Sequence, residues 1–395
     1  MLEYKYKFAE IALLKKAALD NLNTINRSLL SVNQDFVKWK GGGRMVRLKQ
    51  LQLIQSLFFY FRFDYLQHIL SQTYKVEIAQ ALDNYLTEKE RQDKRLCRRI
   101  IKDIRICDRL IMAKPYEYFF LDLRNKSKAE RRKFMTDKYM LQRMSMIDNR
   151  KQHDIELNDK YNFYLLAKPF FKRVVLCLNQ RTLFKDFEPI ANRLGKMIFK
   201  PSILGCGQGI FVADVSTSDK AKSVFDWIIQ TRNEWVAEEL IVQDERMALW
   251  NPTSVNTIRL LSFSTHEGIK FTISCMRTGR LGSVVDNGCS GGIFAAIDAE
   301  SGLVITDGKD EMAKSYERHP DSDVKFKGWQ VPQWEELKET AIAIHSTVFP
   351  RMKYIGWDFA LTKNGWVVIE GNWGQFLQQA ALGYGLRPIF DKYVK

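Results

Sequence analysis

The sequence predicts an α+β protein with a basic, mainly helical N-terminal region. Three observations predict it. Apolar residues recur at helical spacing through the first third of the chain. From residue 165 onward, short apolar runs alternate with amphipathic stretches and turn residues. Near the C-terminus two strand-like runs meet at Asn364-Gly365, the strongest short-range hairpin signal. A chain of 395 residues can bury large cores and is expected to hold two or three domains. Its apolar content of 46% and charged content of 27% are those of a soluble globular protein.

In chain order, residues 1–38 read as helical, with Ile11, Leu13, Leu14, Ala18, Leu22 and Ile25 at roughly helical spacing. Gly41-Gly42-Gly43-Arg44 interrupts them, as a connection or an anion-binding nest. Residues 46–87 resume as a long helical segment or pair, whose stripe of Leu51, Ile54, Leu57, Phe58, Phe61, Tyr65 and Ile69 suits a core. The stretch Arg91 to Arg105 is strongly basic, with Leu96, Ile100, Ile101 and Ile104 forming a helical face. A second basic cluster runs from Lys126 to Lys133. About +13 of the net charge of +15 falls in residues 1–160. Such clusters suit a solvated face, a nucleic-acid patch or contact with an anionic membrane or glycan-assembly proteins. No helix-turn-helix spacing, zinc finger or RNA-binding sheet motif accompanies them, which argues against nucleic acid.

No run approaches 18 apolar residues, and Met1 to Lys7 contains no apolar signal-peptide core. Six scattered cysteines without C-x-x-C suit reduced thiols, and the dispersed histidines argue against zinc. The expected location is the cytoplasm, with a peripheral position at the inner membrane face compatible with the charge.

Beyond residue 165, Val174–Leu178 reads as a strand, 184–194 as a helix and Lys196–Lys200 as a strand. An amphipathic helix follows over 218–232 and a strand over Trp235–Val242. Residues 256–264, 269–276, 292–298 and 303–306 read as short strands, with a turn at Glu300-Ser301-Gly302, and 333–348 as a helix.

The C-terminal hairpin carries the clearest chemistry. With a three-residue loop, Lys363 to Gly365, Thr362 pairs with Trp366 and Asp358 stands opposite Glu370. Asn372 projects from the same face, while Phe359, Leu361, Val367 and Ile369 take the other. An Asp, a Glu and an amide oxygen on one side suit Mg²⁺, although a surface hairpin also carries polar residues. Upstream, a strand ending in Lys200 runs into a loop containing Gly205, Gly207 and Gly209. Glycines let backbone N–H groups approach phosphate, and a lysine adds a point charge. The loop is neither a Walker A motif nor G-x-G-x-x-G, and an ordinary hairpin loop accounts for it equally well. Gly288-Cys289-Ser290-Gly291-Gly292 satisfies G-x-S-x-G, but a strand and hairpin follow where a nucleophile elbow needs a helix.

The Asp358…Glu370-x-Asn372 pattern resembles the metal-binding hairpin of the ATP-grasp superfamily. Lys200 and its loop resemble that superfamily's strand lysine and flexible phosphate loop, and Asn158-Asp159-Lys160 its first nucleotide lysine. Trp235 to Ile241 resembles the strand that holds adenine. Glu238 and Glu239 are both candidates for the exocyclic amine, the Ile241 backbone for the ring edge, and Asp244 or Glu245 for the ribose.

Ser254-Val-Asn256-Thr-Ile-Arg259, Arg277-Thr-Gly279 and Asp286-Asn287 with Gly291-Gly292 narrow the resemblance. In this order they resemble the sugar-transfer-associated ATP-grasp family, with teichuronopeptide-type relatives, over roughly Tyr118 to Gly374. The resemblance implies two α+β subdomains clamping ATP. Residues 156–240 would form the small one and 241–395 the large one, with residues 1–155 replacing the usual first domain.

It also implies ATP and Mg²⁺, with metal on Asp358, Glu370 and Asn372 and phosphate on Lys160 and Lys200. Arg259, Arg277 and Asn287 would act on the substrate or acyl phosphate, with a structural ion pair as the lesser alternative for either arginine. The implied activity is an ADP-forming carboxylate–amine ligase of surface-polysaccharide assembly, joining an amino acid to a sugar. The alternatives are a small-molecule kinase on the same fold and a nucleotide-regulated nucleic-acid or membrane binding protein. The residues identify neither substrate.

Overall fold

The computed structural model describes His68 and residues 71–148, 154–204, 208–283, 286, 291–373 and 376–394. It separates into two compact units, 1–71 and 72–395, and every element below belongs to the second. The helix expected over 1–38, the glycines at 41–43 and most of the 46–87 segment lie outside the described residues.

The chain after residue 71 begins with helices: α1 (Gln72–Tyr85), α2 (Glu88–Gln92), α3 (Lys94–Ile111), α4 (Pro115–Phe120), α5 (Lys128–Arg131) and α6 (Asp137–Ile147). Local chemistry sets their ends. Asp93 accepts hydrogen bonds from the Arg95 and Leu96 amides at 2.9 and 3.0 Å, starting α3, and such a cap is worth about 1 kcal/mol. Thr87 and Ser127 start α2 and α5 with reciprocal capping boxes to Glu90 and Glu130. The expected apolar face of α3 is buried through Ile100 and Ile104 and continues through Cys107 and Ile111. One member of the second basic cluster is structural. Buried Arg131 donates to both Asp103 oxygens, at 2.7 and 2.8 Å, and to the Leu123 carbonyl at 2.8 Å.

After α7 (Lys160–Ala167) comes a four-stranded antiparallel sheet: β1 (Val175–Leu178), β2 (Lys196–Pro201), β3 (Phe211–Asp214) and β4 (Trp235–Glu239), in the order β1-β4-β2-β3. Helices α8 (Phe184–Leu194) and α9 (Ser218–Gln230) supply Phe187, Ala191, Phe225 and Ile228 to its core, against Leu178, Met197, Phe199 and Trp235.

A short helix α10 (Glu245–Ala248) leads into the larger sheet of β5 (Thr257–Thr265), β6 (Gly268–Phe271), β7 (Ser274–Thr278), β8 (Ile293–Ile297), β9 (Gly308–Asp310), β10 (Ser315–Tyr316), β11 (Tyr354–Thr362) and β12 (Gly365–Asn372). The order is β10-β9-β8-β7-β5-β11-β12, with β6 also pairing β5. The strand expected over 269–276 is two strands, because β5 is long enough to pair β6 along Ser262–Thr265 and β7 along Thr257–Arg259. Residues 303–306 make only isolated bridges, from Val304 to Ile297 and from Leu303 to Gln330.

Helix α11 (Trp334–Thr347) contributes Trp334, Leu337, Ala341 and Ile344 to a core shared with Trp357, Phe359, Leu361, Trp366 and Val368. Each such buried side chain contributes roughly 1.5–3 kcal/mol of transfer free energy. After the sheet, α12 (Gln378–Leu382) and α13 (Arg387–Tyr393) form a second core with Met135, Met140, Met144, Phe263 and Tyr354. Gln379 fastens this seam. Its oxygen accepts from the Met135 and Leu386 amides at 2.8 and 2.9 Å, and its nitrogen donates to the Met135 carbonyl at 2.9 Å.

The β11–β12 hairpin departs from its expected register at the tip. Thr362 pairs with Gly365, so the loop has two residues, Lys363 and Asn364, and Trp366 stands opposite Leu361 rather than Thr362. Gly365 takes a φ of +85°, which a side chain would oppose. The ladder then skips Ile369. Phe359 pairs with Val368 and Asp358 with Glu370, a bulge that cancels the one-residue offset. Trp366 and Val368 therefore join the core beside Leu361 and Phe359, and Val367 stands opposite Ala360 instead of taking the core face.

Among the described residues, no helix is long and apolar enough to cross a membrane.

Candidate active site

The site is built on one rung of the large sheet. Arg259 on β5, Asp358 on β11 and Glu370 on β12 are direct cross-strand partners. Arg277 on β7 stands opposite Thr257, two residues from Arg259 along β5, and so projects from the same face.

Asp358 is the most heavily engaged group. It takes the Arg259 Nε–H on Oδ1, and on Oδ2 the Arg259 and Arg277 Nη2 groups at 2.8 and 2.9 Å. Glu370 is its cross-strand neighbour. Arg277 additionally donates to the Thr257 hydroxyl at 2.9–3.0 Å, and that hydroxyl donates to Asp286. Both arginines are thus ion-paired within the sheet, and Asp286 joins the cluster through Thr257.

Burial and charge push the two carboxylates apart. Burial works to raise Asp358, but Arg259 and Arg277 outweigh it and hold the carboxyl well below the usual range. Glu370 is raised, first by burial and then by the Asp358 charge beside it. At the same rung one carboxylate is held charged and its neighbour is biased toward keeping a proton.

Two lysines stand on the smaller sheet and its approach. Lys200, at the end of β2, reaches the Glu238 Oε1 on β4 at 2.8 Å. Lys160 opens α7, with its Nζ on the Leu204 carbonyl and 3.5 Å from the Ser202 carbonyl. Burial lowers the Lys160 ammonium, which lies within electrostatic reach of Glu370, Lys200 and Glu238. Its placement is local in origin. Asp159 caps α7 by accepting from the Tyr161 and Asn162 amides, and the Ser202 hydroxyl donates to the same oxygen at 2.8 Å. The start of α7 is therefore pinned two residues past Lys200.

Glu238 is fully engaged. Its Oε2 accepts from Arg173 Nε and Nη2 at 2.9 and 2.6 Å, while Oε1 faces Lys200. Burial works against the charge, yet Lys200 and Arg173 bring the carboxyl down to about 2. Arg173 also donates to the Val368 carbonyl of β12 at 2.8 Å, linking the two sheets beneath the site. Glu239 instead accepts from the Val174 amide at 3.0 Å. Ile241 is half-buried in the segment after β4, Asp244 caps α10 and holds Arg246, and Glu245 is exposed. Gly209 has a φ of +74° and lies against the Pro201 ring. Gly205, Gly207 and Asn287 lie outside the described residues.

Sequence reasoning missed Arg173, Asp159 and Ser202 as organising residues. Asp159 carried a signal, since an aspartate before a helical run is a cap. Arg173 carried none, because its partners are 65 and 195 positions away.

The donor chemistry fits a hard divalent cation. Glu370 and Asn372 lie side by side, with Nδ2 3.4 Å from Oε1, and Asp358 adjoins them. A cation would relieve the crowding of charge that biases Glu370 toward a proton. Glu370 and Asn372 would bind it through oxygens that the two arginines leave open, with Asp358 beside them. Among the described residues, no group of three or more His, Cys, Asp or Glu forms a metal cluster. The amide oxygen and substrate phosphates would complete the shell, as Mg²⁺ accepts.

The family profile described as sugar-transfer associated ATP-grasp matches residues 148–393, from before α7 to the end of α13. The chain belongs to the sugar-transfer-associated ATP-grasp family. Both sheets of this ATP-grasp chain lie inside the match, and helices α1–α6 lie before it. Similar solved structures include D-alanyl-alanine synthetase A from Vibrio cholerae, at 13% identity and TM-score 0.38, covering 60% of this chain and 64% of that one. The ATP-grasp ligase PsnB with its minimal precursor has 11% identity and TM-score 0.38, covering 63% and 62%. The VanG D-Ala:D-Ser ligase from Enterococcus faecalis has 13% identity and TM-score 0.38, covering 60% of each chain. The ATP-grasp chain thus spans less than two thirds of each. No curated protein matches the sequence.

Proposed function

We propose that this protein is an ATP-dependent ligase that activates a carboxylate as an acyl phosphate and transfers it to an amine. The observation that carries the reading is the position of Lys160. Its ammonium lies within electrostatic reach of Lys200 and Glu238 on the small sheet and of Glu370 on the large one. Two lysines opposite a pair of buried carboxylates suit a polyphosphate held with Mg²⁺, the lysines balancing phosphate charge and Glu370 and Asn372 holding the metal. When bound, Mg²⁺ supplies charge neutralisation at the β- and γ-phosphates.

In the proposed reaction, a substrate carboxylate oxygen attacks the γ-phosphorus and the bond to the β-phosphate oxygen breaks. ADP leaves and an acyl phosphate remains. The amine then attacks the acyl carbon and loses a proton, inorganic phosphate departs, and an amide forms. Arg259 and Arg277 hold Asp358 charged beside this chemistry and present guanidinium N–H groups on the same face. The sugar-transfer association of the family supports a sugar-linked substrate, such as an amino acid joined to a sugar acid or amino sugar in surface-polysaccharide assembly.

Hydroxylamine tests the reaction type. With Mg²⁺-ATP and a library of carboxylates, a ligase of this kind yields ADP and a hydroxamate, because hydroxylamine intercepts the acyl phosphate. A stable phosphate ester and no hydroxamate would make the protein a kinase. AMP and pyrophosphate would overturn attack at the γ-phosphorus.

A further inference from the structure

The exposed side of α3 is a cationic stripe separate from the nucleotide site. On a helix of about 3.6 residues per turn, Lys94, Arg95, Arg98, Arg99, Lys102, Arg105 and Arg109 fall within an arc of roughly 140°. All seven are exposed, and the only other residue on that arc is Ile106, 37% exposed. At about 1.5 Å per residue, the stripe runs for about 22 Å. Both acidic residues of α3 lie outside it. Asp103 is taken by Arg131 and the Tyr118 hydroxyl, and buried Asp108 faces Lys138. The opposite side of the helix is locked into the protein by Ile100, Ile104, Cys107 and Ile111. The stripe therefore cannot roll inward, and no acidic residue of α3 lies on its arc.

We infer that this face of α3 is a docking surface for an anionic lipid bilayer. Two features favour a bilayer over nucleic acid. The arc carries no aromatic ring to stack on a base, so the stacking platform of single-strand binding is missing. It also presents one straight row of long, flexible cations with a single isoleucine among them, which matches a planar layer of anionic headgroups. Short helix α5 packs against α3, and exposed Lys128, Arg132 and Lys133 in and after it add to the basic character of this region. Binding here is electrostatic adsorption without insertion, because the apolar side of α3 is already buried.

The test uses the full chain and vesicles of equal parts phosphatidylcholine and phosphatidylglycerol. The protein sediments with these vesicles at low salt, ignores pure phosphatidylcholine, and is released near 1 M salt, where the Debye length falls to about 3 Å. Each cation removed from the stripe weakens vesicle binding about fivefold. The Arg98→Ala/Lys102→Ala and Arg95→Ala/Arg99→Ala pairs therefore each lose roughly 25-fold, with melting temperature and ATP binding unchanged. Lys222→Ala, an exposed lysine on α9, leaves binding as it was. Absence of vesicle binding, an equal loss in Lys222→Ala, or tighter binding to duplex DNA or single-stranded RNA at the same salt would overturn the inference.

Discussion

Asp358 and Glu370 stand opposite one another on adjacent strands, and the ladder reaches that pairing by skipping Ile369. The two carboxyl groups share one rung but not one environment. Arg259 and Arg277 hold Asp358 charged, while burial and the Asp358 charge raise Glu370.

That asymmetry predicts the pH dependence of metal binding. A proton and a divalent cation compete for Glu370, so Mg²⁺ or Mn²⁺ affinity should weaken by up to about tenfold per pH unit as pH falls below the raised pKa of Glu370. Asp358, held below the usual carboxylate range, should not titrate in that window. Glu370→Gln should bind metal weakly and without this dependence. Calorimetry across mildly acidic to neutral pH measures both. A wild-type profile that stays flat would remove Glu370 from the metal site. The same raised pKa gives stability that is complete below the ordinary glutamate value and declines as pH rises through the native one.

Lys200 predicts a difference between nucleotides. Its ammonium is directed at phosphate in the proposed function, so Lys200→Met should lower ATP affinity about ten- to a hundredfold, the value of a charge-assisted hydrogen bond. Adenosine affinity should hardly change. Titration of both ligands against the variant decides it, and equal losses would mean that Lys200 acts through the fold.

Arg173 predicts a stability effect with a pH signature. Arg173→Met leaves Glu238 buried with Lys200 alone, and breaking a buried pair costs about 3–5 kcal/mol. Glu238 is depressed to about 2, so its stabilising contribution is present above the ordinary glutamate value and is lost as pH falls toward 2. In Arg173→Met the native pKa of Glu238 lies higher, so that loss should be smaller and complete at a higher pH. Urea denaturation at neutral and acidic pH reads both effects, and adding Glu238→Gln should recover part of the neutral-pH loss.

Gly371 predicts a packing effect between Glu370 and Asn372, the proposed metal ligands. A Cβ there would lie 3.2–3.3 Å from Phe163 on α7, from Leu157 and from Trp357. Gly371→Ala should lower stability by about 1–3 kcal/mol. Because Phe163 belongs to the helix that begins with Lys160, ATP affinity should fall with it. Thermal melting with nucleotide titration tests this, and a variant as stable as wild type would show that the contact yields freely.

Much of this protein was legible in local pattern. Asn364-Gly365 between two apolar runs could only be a turn between strands, and the Glu370-Gly371-Asn372 spacing put two polar side chains on one face because strand side chains alternate. The helices at Phe184–Leu194 and Trp334–Thr347 follow from apolar spacing. The motifs from Lys160 to Asn372 were readable as a family pattern because each is a short local run, and the family match spans them all.

Only the tertiary structure decided how those pieces meet. The hairpin tip is one residue tighter than expected, and the bulge at Ile369 restored the Asp358–Glu370 pairing. Nothing in the local sequence announces a bulge, because it is set by which side chains, Trp366 and Val368, fill the core. The partners of Asp358 were invisible for the same reason. Arg259 lies 99 positions away and reaches it only because β5 and β11 are neighbours in the sheet. Arg173 joins Glu238 to Val368 across still longer separations. Sequence periodicity determines which face of an element a side chain occupies, whereas the charge state of a buried group depends on what the folded chain places against that face.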